Sequence, residues 1–293
     1  MNFIQLFINS METGSIYALA ALGIVLIFRT SKTTNFAQGM IGTLNAYVAA
    51  TLFMRFGLNI WLVTIIAMIT AFITGIVIDT FIIRPAAKAS AVSKQIITLG
   101  LIMVILGILP FIFGIDNLQL PRFIPIVDAT KISIFGASVS FNTIFTITLS
   151  LVLMGFLFWF LKYTKWGLAI RVTASNEVTS RLMGVPTKSV TMISWATAAM
   201  FGTLAAIYLA PLGSVNPTML TDIQVNAFFA CVLGGFGTFY GPVAAAFILA
   251  LSKNLSLAYV SDEWGHTFVY IAILVFLFFK PYGLFGKKSV KKV

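Results

Sequence analysis

The sequence predicts an all-α, polytopic membrane helix bundle, and three observations predict it. The 293-residue chain is 59% hydrophobic and only 9% charged, where soluble domains carry about 25% charged residues. Its mean hydropathy is +1.01. Apolar runs close to the ~20 residues that a helix needs to cross the hydrocarbon core recur along it, and short polar loops that hold most of the cations separate them.

The elements follow in order. Phe3–Phe28, Phe36–Met54, Ile60–Ile83, Ile96–Phe113, Phe141–Leu161 and Val190–Ala210 read as spans. A broken pair comes next, Ile223–Leu233 and Gly241–Leu257, and a last span lies near Trp264–Phe279. The runs are too long for single strands and lack the alternation of a barrel, so the expectation is about eight membrane helices with discontinuous segments. The broken pair reads equally as a re-entrant hairpin or as two short spans.

Charge orients the bundle. Arg55, Arg122, Lys131 and Lys253 fall on one side of this plan. The other fifteen of the nineteen Lys and Arg fall on the opposite side, among them Arg29, Lys32, Arg84, Lys88, Lys94, Arg181, Lys188 and the tail lysines Lys287, Lys288, Lys291 and Lys292. Lys and Arg mark cytoplasmic loops, so the N-terminus is expected outside and the C-terminus inside. Glu12, Asp116, Asp128, Asp222, Asp262 and Glu263 fall on the outer side. The net charge of +11 therefore reports topology and not a nucleic-acid partner. The single Cys231 sits in an apolar run and reads as a buried, inert thiol. The first apolar stretch has no basic region before it and is interrupted by Glu12, so no cleaved signal peptide is expected.

Two loops stand out. Residues 114–140 form the longest outer loop, with Pro121, Pro125 and a β-branched KISIF before Gly136; it reads as a lid or docking surface, or as a plain connector. On the basic side, Lys162–Ser189 is too long for a turn between packed helices. Ser175 or Asn176 can cap a helix there, and Glu177 favours its first turn. Gly184 can end it, with Pro186 preventing resumption. The result is a short helix, Glu177–Met183, with Val178 and Leu182 on one face. Such a helix is marginal alone. It must be held by its own membrane helices, by a partner, or by lying on the lipid surface.

Several chemistries are excluded. No GxxxxGK[ST] loop occurs to cradle phosphate. Gly235–Phe236–Gly237 has no strand before it, one His266 and one Cys231 do not build a zinc site, and no nucleophile motif is present. No catalytic or metal-ligating residue is therefore assigned. Glu12 and Asp222 lie toward the outer surface and Asp79 lies five residues before Arg84, so no acid marks the midplane for ion coupling. Energy for uphill transport would have to come from outside the chain.

The run RVTASNEVTSRLMGVPTKSV (Arg171–Val190) resembles the cytoplasmic loop of branched-chain amino-acid ABC permeases. The likeness continues through GSIYALAALGIVLIFRTSKTTNFAQG (Gly14–Gly39), FIIRPAAKASAVSKQIITLGL (Phe81–Leu101), VLGGFGTFYGPVAAAFILALSKNL (Val232–Leu255) and KPYGLFG (Lys280–Gly286). Length fits the LivH-type half of that family. Gln38 stands where the family often has His, and Thr179–Ser180 stand where it often has a small apolar pair.

The resemblance implies a single transmembrane permease domain over residues 1–293, in the bacterial inner membrane. It also implies a LivM-like second permease, two cytoplasmic ABC ATPase subunits and a periplasmic substrate-binding protein. This chain would bind no cofactor, ATP and Mg being used by the ATPases. Glu177, Arg181, Leu182 and Gly184 are the expected ATPase contact. Asn35, Gln38, Thr43 and Asn45, with Gly234, Gly235, Gly237 and Gly241, are the candidates for the translocation path, since broken membrane helices expose backbone only where protein or water satisfies it. The same glycines serve equally for close packing. A permease for urea or short-chain amides shares much of the pattern, and a channel working without ATP is the alternative from another class.

Overall fold

The computed structural model describes residues 3–116, 118–127, 130–134 and 136–286. Asp128 and the four tail lysines of the charge count lie outside the described residues. Two helices form the centre. Helix α1 (Phe3–Ser31) is buried almost continuously from Gly14 to Ile27, and α8 (Thr187–Leu209) from Ser194 to Tyr208. Both are rich in Gly, Ala and Ser on their buried faces, which lets neighbouring backbones approach where hydrophobicity alone cannot drive association.

Helices α2 (Gln38–Phe56) and α3 (Ile60–Val77) pack on α8, and α9 (Thr221–Gly234) and α10 (Tyr240–Tyr259) pack on α1. A π-helical turn, Ile78–Ile83, continues α3. Helices α4 (Ala91–Phe113), α5 (Phe141–Tyr163) and α11 (Gly265–Phe279) lie outside. They leave Met103, Phe111, Val152, Phe156 and Phe278 exposed, as faces turned to lipid do.

Among the described residues, six helical stretches are long and apolar enough to cross a membrane: Phe3–Ser31, Ile60–Ile83, Ala91–Phe113, Phe141–Tyr163, Thr187–Leu212 and Tyr240–Tyr259. The chain is thus a multi-pass helical membrane protein. Helix α9 has 14 residues, a rise of about 21 Å, and falls short of a hydrocarbon core of about 30 Å. Its partner α10 is a full span, so the broken pair is one partial crossing packed against one complete one.

The basic loops meet at one end of the bundle, where Ser31, Arg84, Lys88, Lys94, Arg181 and Lys188 line one cavity. The opposite end is tied by Arg55 donating to Phe113 O (2.9 Å), by Thr143 donating to Glu12 (3.0 Å) and by a bridge between Leu118 and Val215. Lys253 corrects the charge plan. It lies in α10, not in an outer loop, and is only 6% exposed. The run Gly241–Leu257 already contains it, and a count of cations by side does not register one that is buried inside a span.

The outer loop carries an antiparallel hairpin, β1 (Lys131–Ile134) with β2 (Ala137–Ser140), in register Lys131↔Ser140 to Ile134↔Ala137. Gly136 takes φ +79° at its turn. Ser140 then caps α5 by accepting from Thr143 N.

The polar island is more helical than its composition predicts. Helix α6 (Lys165–Ser175) is capped by Thr164 and buries Gly167, Ile170, Thr173 and Ala174, a stripe at helical spacing. Ser175 ends α6, so the capping role falls to Asn176. Lys32, whose ammonium donates to Ala174 O at 2.7 Å, ties the end of α1 to the end of α6. Burial and the neighbouring Arg29 hold the Lys32 ammonium below its ordinary range.

Candidate functional site

Three polar places in this apolar chain need an account. The first is α7 (Glu177–Leu182). Asn176 accepts from Thr179 N at 3.1 Å and caps its start. At its end, Val185 N donates to Ser180 O and Gly184 N to Arg181 O, with Gly184 at φ +81°. That is a complete Schellman ending, and it stops the helix at Leu182, with Met183 as the cap residue rather than the last helical one. Ser180 faces inward and is buried. Val178, Leu182 and Met183 face out, at 71%, 83% and 74% exposed. Glu177 and Arg181 pair at 3.3 Å across one turn. Glu177 and Arg181 line the basic cavity, Leu182 faces out with Val178 and Met183, and Gly184 fixes the end of the helix.

The second place is the break between α1 and α2. Residues 32–37 leave helical geometry and turn from exposed Lys32 into the bundle, where Asn35 and Ala37 are buried, so their backbone groups need partners. Side chains supply them. Asn35 Oδ1 accepts from Ala37 N (3.0 Å), and Thr98 Oγ1 accepts from Phe36 N (3.2 Å). Asn35 Nδ2 donates to Gln38 Oε1 (3.1 Å), and Gln38 Nε2 donates to Ala198 O (2.6 Å) at mid-length of α8. Gln224 of α9 closes the set, accepting from Gly39 N and donating to Asn35 O (3.4 Å). All of Asn35, Gln38 and Thr98 are buried.

A cavity of about 340 Å³ opens beside this network, between α2, α4 and α9. Phe36, Met40, Leu99 and Ile102 give it an apolar wall; Gln224 and Thr43 give it polar groups. The hydroxyl of Thr43 is buried and has no hydrogen-bond partner among the described residues. Its volume is at the lower end of the ~300–1,000 Å³ typical of ligand pockets.

The structure therefore brings Asn35 and Gln38 together in one network and adds Gln224 and Thr98, which sequence reasoning missed; Thr43 lines the adjoining cavity with Gln224, whereas Asn35 and Gln38 do not. The available signal was an amide side chain in a run too short to span. Asn45 lies further along α2 and donates back to Ile41 O (2.9 Å), away from the cavity lining. The glycine group sits apart, at the basic end. Gly234 and Gly241 pack backbone to backbone, so that a methyl on either would run into the other. Gly235 lies against Tyr282 and Gly286 of the tail, and Leu284 N donates to Leu233 O at 2.7 Å. Gly237 has open space around it.

The third place is the buried Lys253. Its ammonium donates to Asn226 Oδ1 (3.1 Å) and to the Tyr270 hydroxyl (3.2 Å), and Tyr270 in turn donates to Asn226 Oδ1 (3.1 Å). The rings of Tyr17 and Tyr270 lie 5.7 and 5.3 Å from it. Four helices, α1, α9, α10 and α11, meet on this one cation. Among the described residues no His, Cys, Asp or Glu cluster could hold a metal.

The comparisons with known proteins agree with this architecture. The family described as branched-chain amino acid transport system / permease component matches residues 6–278. The high-affinity branched-chain amino acid transport system permease protein LivH of Salmonella typhimurium is 26% identical over 99% of this chain and 98% of its own. A probable branched-chain amino acid transport permease protein LivH of Methanocaldococcus jannaschii is 27% identical over 93% of this chain and 89% of its own. The fructose import permease protein FruG of Bifidobacterium longum is 28% identical over a shorter stretch, 73% of this chain and 63% of its own. With a match that covers nearly every helix described above, the chain belongs to the family of branched-chain amino acid transport system permease components.

Proposed function

We propose that this chain is one of two membrane subunits of an ATP-driven importer for branched-chain amino acids, and that it forms half of the translocation pathway. The observation that carries the reading is α7. It is a six-residue helix, capped at both ends, whose apolar side chains Val178, Leu182 and Met183 touch little of their own chain. Exposed hydrocarbon in this setting marks a contact surface. A cytoplasmic ABC ATPase is the partner that suits it, since no P-loop occurs in this sequence and uphill import needs a motor.

The rest of the assembly follows from the same logic. The basic end faces the cytoplasm of a bacterial inner membrane. A LivM-like second permease covers the open side of the cavity at α2, α4 and α9, and a second ATPase lies beneath it. ATP and Mg are bound by the ATPases. A periplasmic binding protein delivers cargo to the end that carries the hairpin. The cargo reading draws on the apolar cavity wall with its few polar groups, which suits a small solute with a branched hydrocarbon side chain, and on the substrates named for the LivH relatives.

The test is reconstitution with the partner subunits. Leu182→Asp and Arg181→Glu change exposed side chains, so assembly of the fold should survive, the lost pair being worth at most about 0.5 kcal/mol. Stimulation of ATP hydrolysis by loaded binding protein should fall at least tenfold in Leu182→Asp. Unchanged stimulation in both variants would count against the docking role. Uptake of labelled leucine, with labelled fructose and urea as comparators, checks the cargo.

A further inference from the structure

We infer that the basic cavity at the cytoplasmic end is a binding site for the phosphate of an anionic phospholipid headgroup. The cavity has a volume of about 530 Å³ and lies where the end of α3, the start of α4, the start of α8 and α7 converge. Five cations line it: Arg84, Lys88, Lys94, Arg181 and Lys188. Two carboxylates line it, and both are already committed. Asp79 holds Arg84 at 3.0 Å, and Glu177 holds Arg181 at 3.3 Å. Among the described residues, Lys88, Lys94 and Lys188 have no carboxylate within ion-pair distance. Arg84 adds a further unmet donor, since its Nε is buried without a hydrogen-bond partner.

Three uncompensated ammonium groups around one polar cavity favour an anion with several acceptor oxygens. Location selects its source. The lining comes from the last residues of one span and the first residues of two others, which is headgroup depth and not bulk cytoplasm. On the membrane side of the cationic ring, Phe81 is 73% exposed three residues before Arg84, and Ile96 is 61% exposed two residues after Lys94. A basic ring with hydrocarbon beside it matches a molecule with a phosphate head and acyl chains. Basic pockets between helix ends on the cytoplasmic side are the usual place for such headgroups.

Because Glu177 and Arg181 belong to the same lining, the headgroup would touch α7 from behind, and that consequence rests on the ATPase reading. The binding test uses the complex which that reading names, but it reads lipid retention, which does not depend on docking at Leu182. The complex of this chain with its partner subunits, purified and exchanged into nanodiscs of phosphatidylethanolamine with 20% phosphatidylglycerol (a composition of our choosing, on the order of a natural anionic surface), is released and its retained lipids counted by native mass spectrometry. Phosphatidylglycerol should be retained by the native chain. Retention should weaken about fivefold for each of Lys88→Gln, Lys94→Gln and Lys188→Gln, and on the order of a hundredfold for the triple variant. The three Lys→Arg replacements should keep it, and phosphatidylethanolamine should be unaffected throughout. Should the triple variant fail to assemble, the single variants carry the comparison.

Retention unchanged in the glutamine variants would overturn the inference. Full displacement of phosphatidylglycerol by millimolar inorganic phosphate would overturn the lipid source in favour of a small-anion site. Loss of the ATPase subunits from the glutamine variants, with lipid retention intact, would assign the cavity to acidic side chains of that partner. A lipid result in either direction leaves the docking role of Leu182 to its own test.

Discussion

The buried Lys253 gives a prediction whose sign is unusual. Removing the charge should be nearly harmless, whereas removing its neutral partner should not. Lys253→Met keeps the length of the side chain and takes away the ammonium. Asn226 Oδ1 then still accepts from the Tyr270 hydroxyl at 3.1 Å, so no buried acceptor is orphaned. Asn226→Leu does the reverse. It leaves the ammonium, 6% exposed, with the Tyr270 oxygen as its remaining hydrogen-bond acceptor. Breaking a buried charge away from its partner costs 3–5 kcal/mol in soluble proteins, while polar pairs in membrane helices run nearer 0.6–1.7 kcal/mol, so about 3 kcal/mol is expected. Lys253→Met should cost less than about 1 kcal/mol. The double variant should sit near Lys253→Met alone, a coupling of about 3 kcal/mol. Equilibrium unfolding in mixed micelles, followed by helix content, measures all three. If Lys253→Met proves the more damaging single change, or if the two changes simply add, the ammonium is not held as described.

Two other outcomes follow from the geometry. Thr43→Val should leave stability within about 0.5 kcal/mol, because the hydroxyl it removes has no partner among the described residues; the same variant should raise the KM for leucine uptake severalfold, and an unchanged KM would take the cavity out of the path. Gly234→Ala should destabilise the chain by at least about 2 kcal/mol, since the added methyl meets the Gly241 and Pro242 backbone and not a movable side-chain end; thermal unfolding in detergent reads it, and a neutral result would mean that the α9–α10 contact is looser than described.

Much of the bundle was legible because lipid imposes one solution on the backbone. Long apolar runs had to be helices, and their order and approximate ends match α1 to α5 and α8 to α11. Capping chemistry was also local enough to read: Asn176, Gly184 and the short helix between them are where Asx and glycine rules put them. What failed was long-range. Gln224 meets Gly39 across 185 positions, and Thr98 meets Phe36 across 62. No pattern in either segment announces that meeting. Lys253 was misread because a cation near the end of an apolar run looks the same whether its ammonium escapes to water or turns toward Asn226. The glycine run after Val232 was ambiguous between packing and path, and its contacts with Gly241 and the tail are packing contacts.

Helix α8 has a mechanical consequence. Its first residue, Thr187, is five positions after the end of α7, and its twelfth, Ala198, holds Gln38 through a backbone carbonyl. An α-helix is stiff along its axis, and these eleven steps span about 16 Å. A pull on α7 would therefore reach the amide that seals the broken segment through one rigid rod. That hydrogen bond, 2.6 Å long, lies beside the close backbone approach of Gly42 to Gly202, so α8 meets the start of α2 both through an amide and through packing.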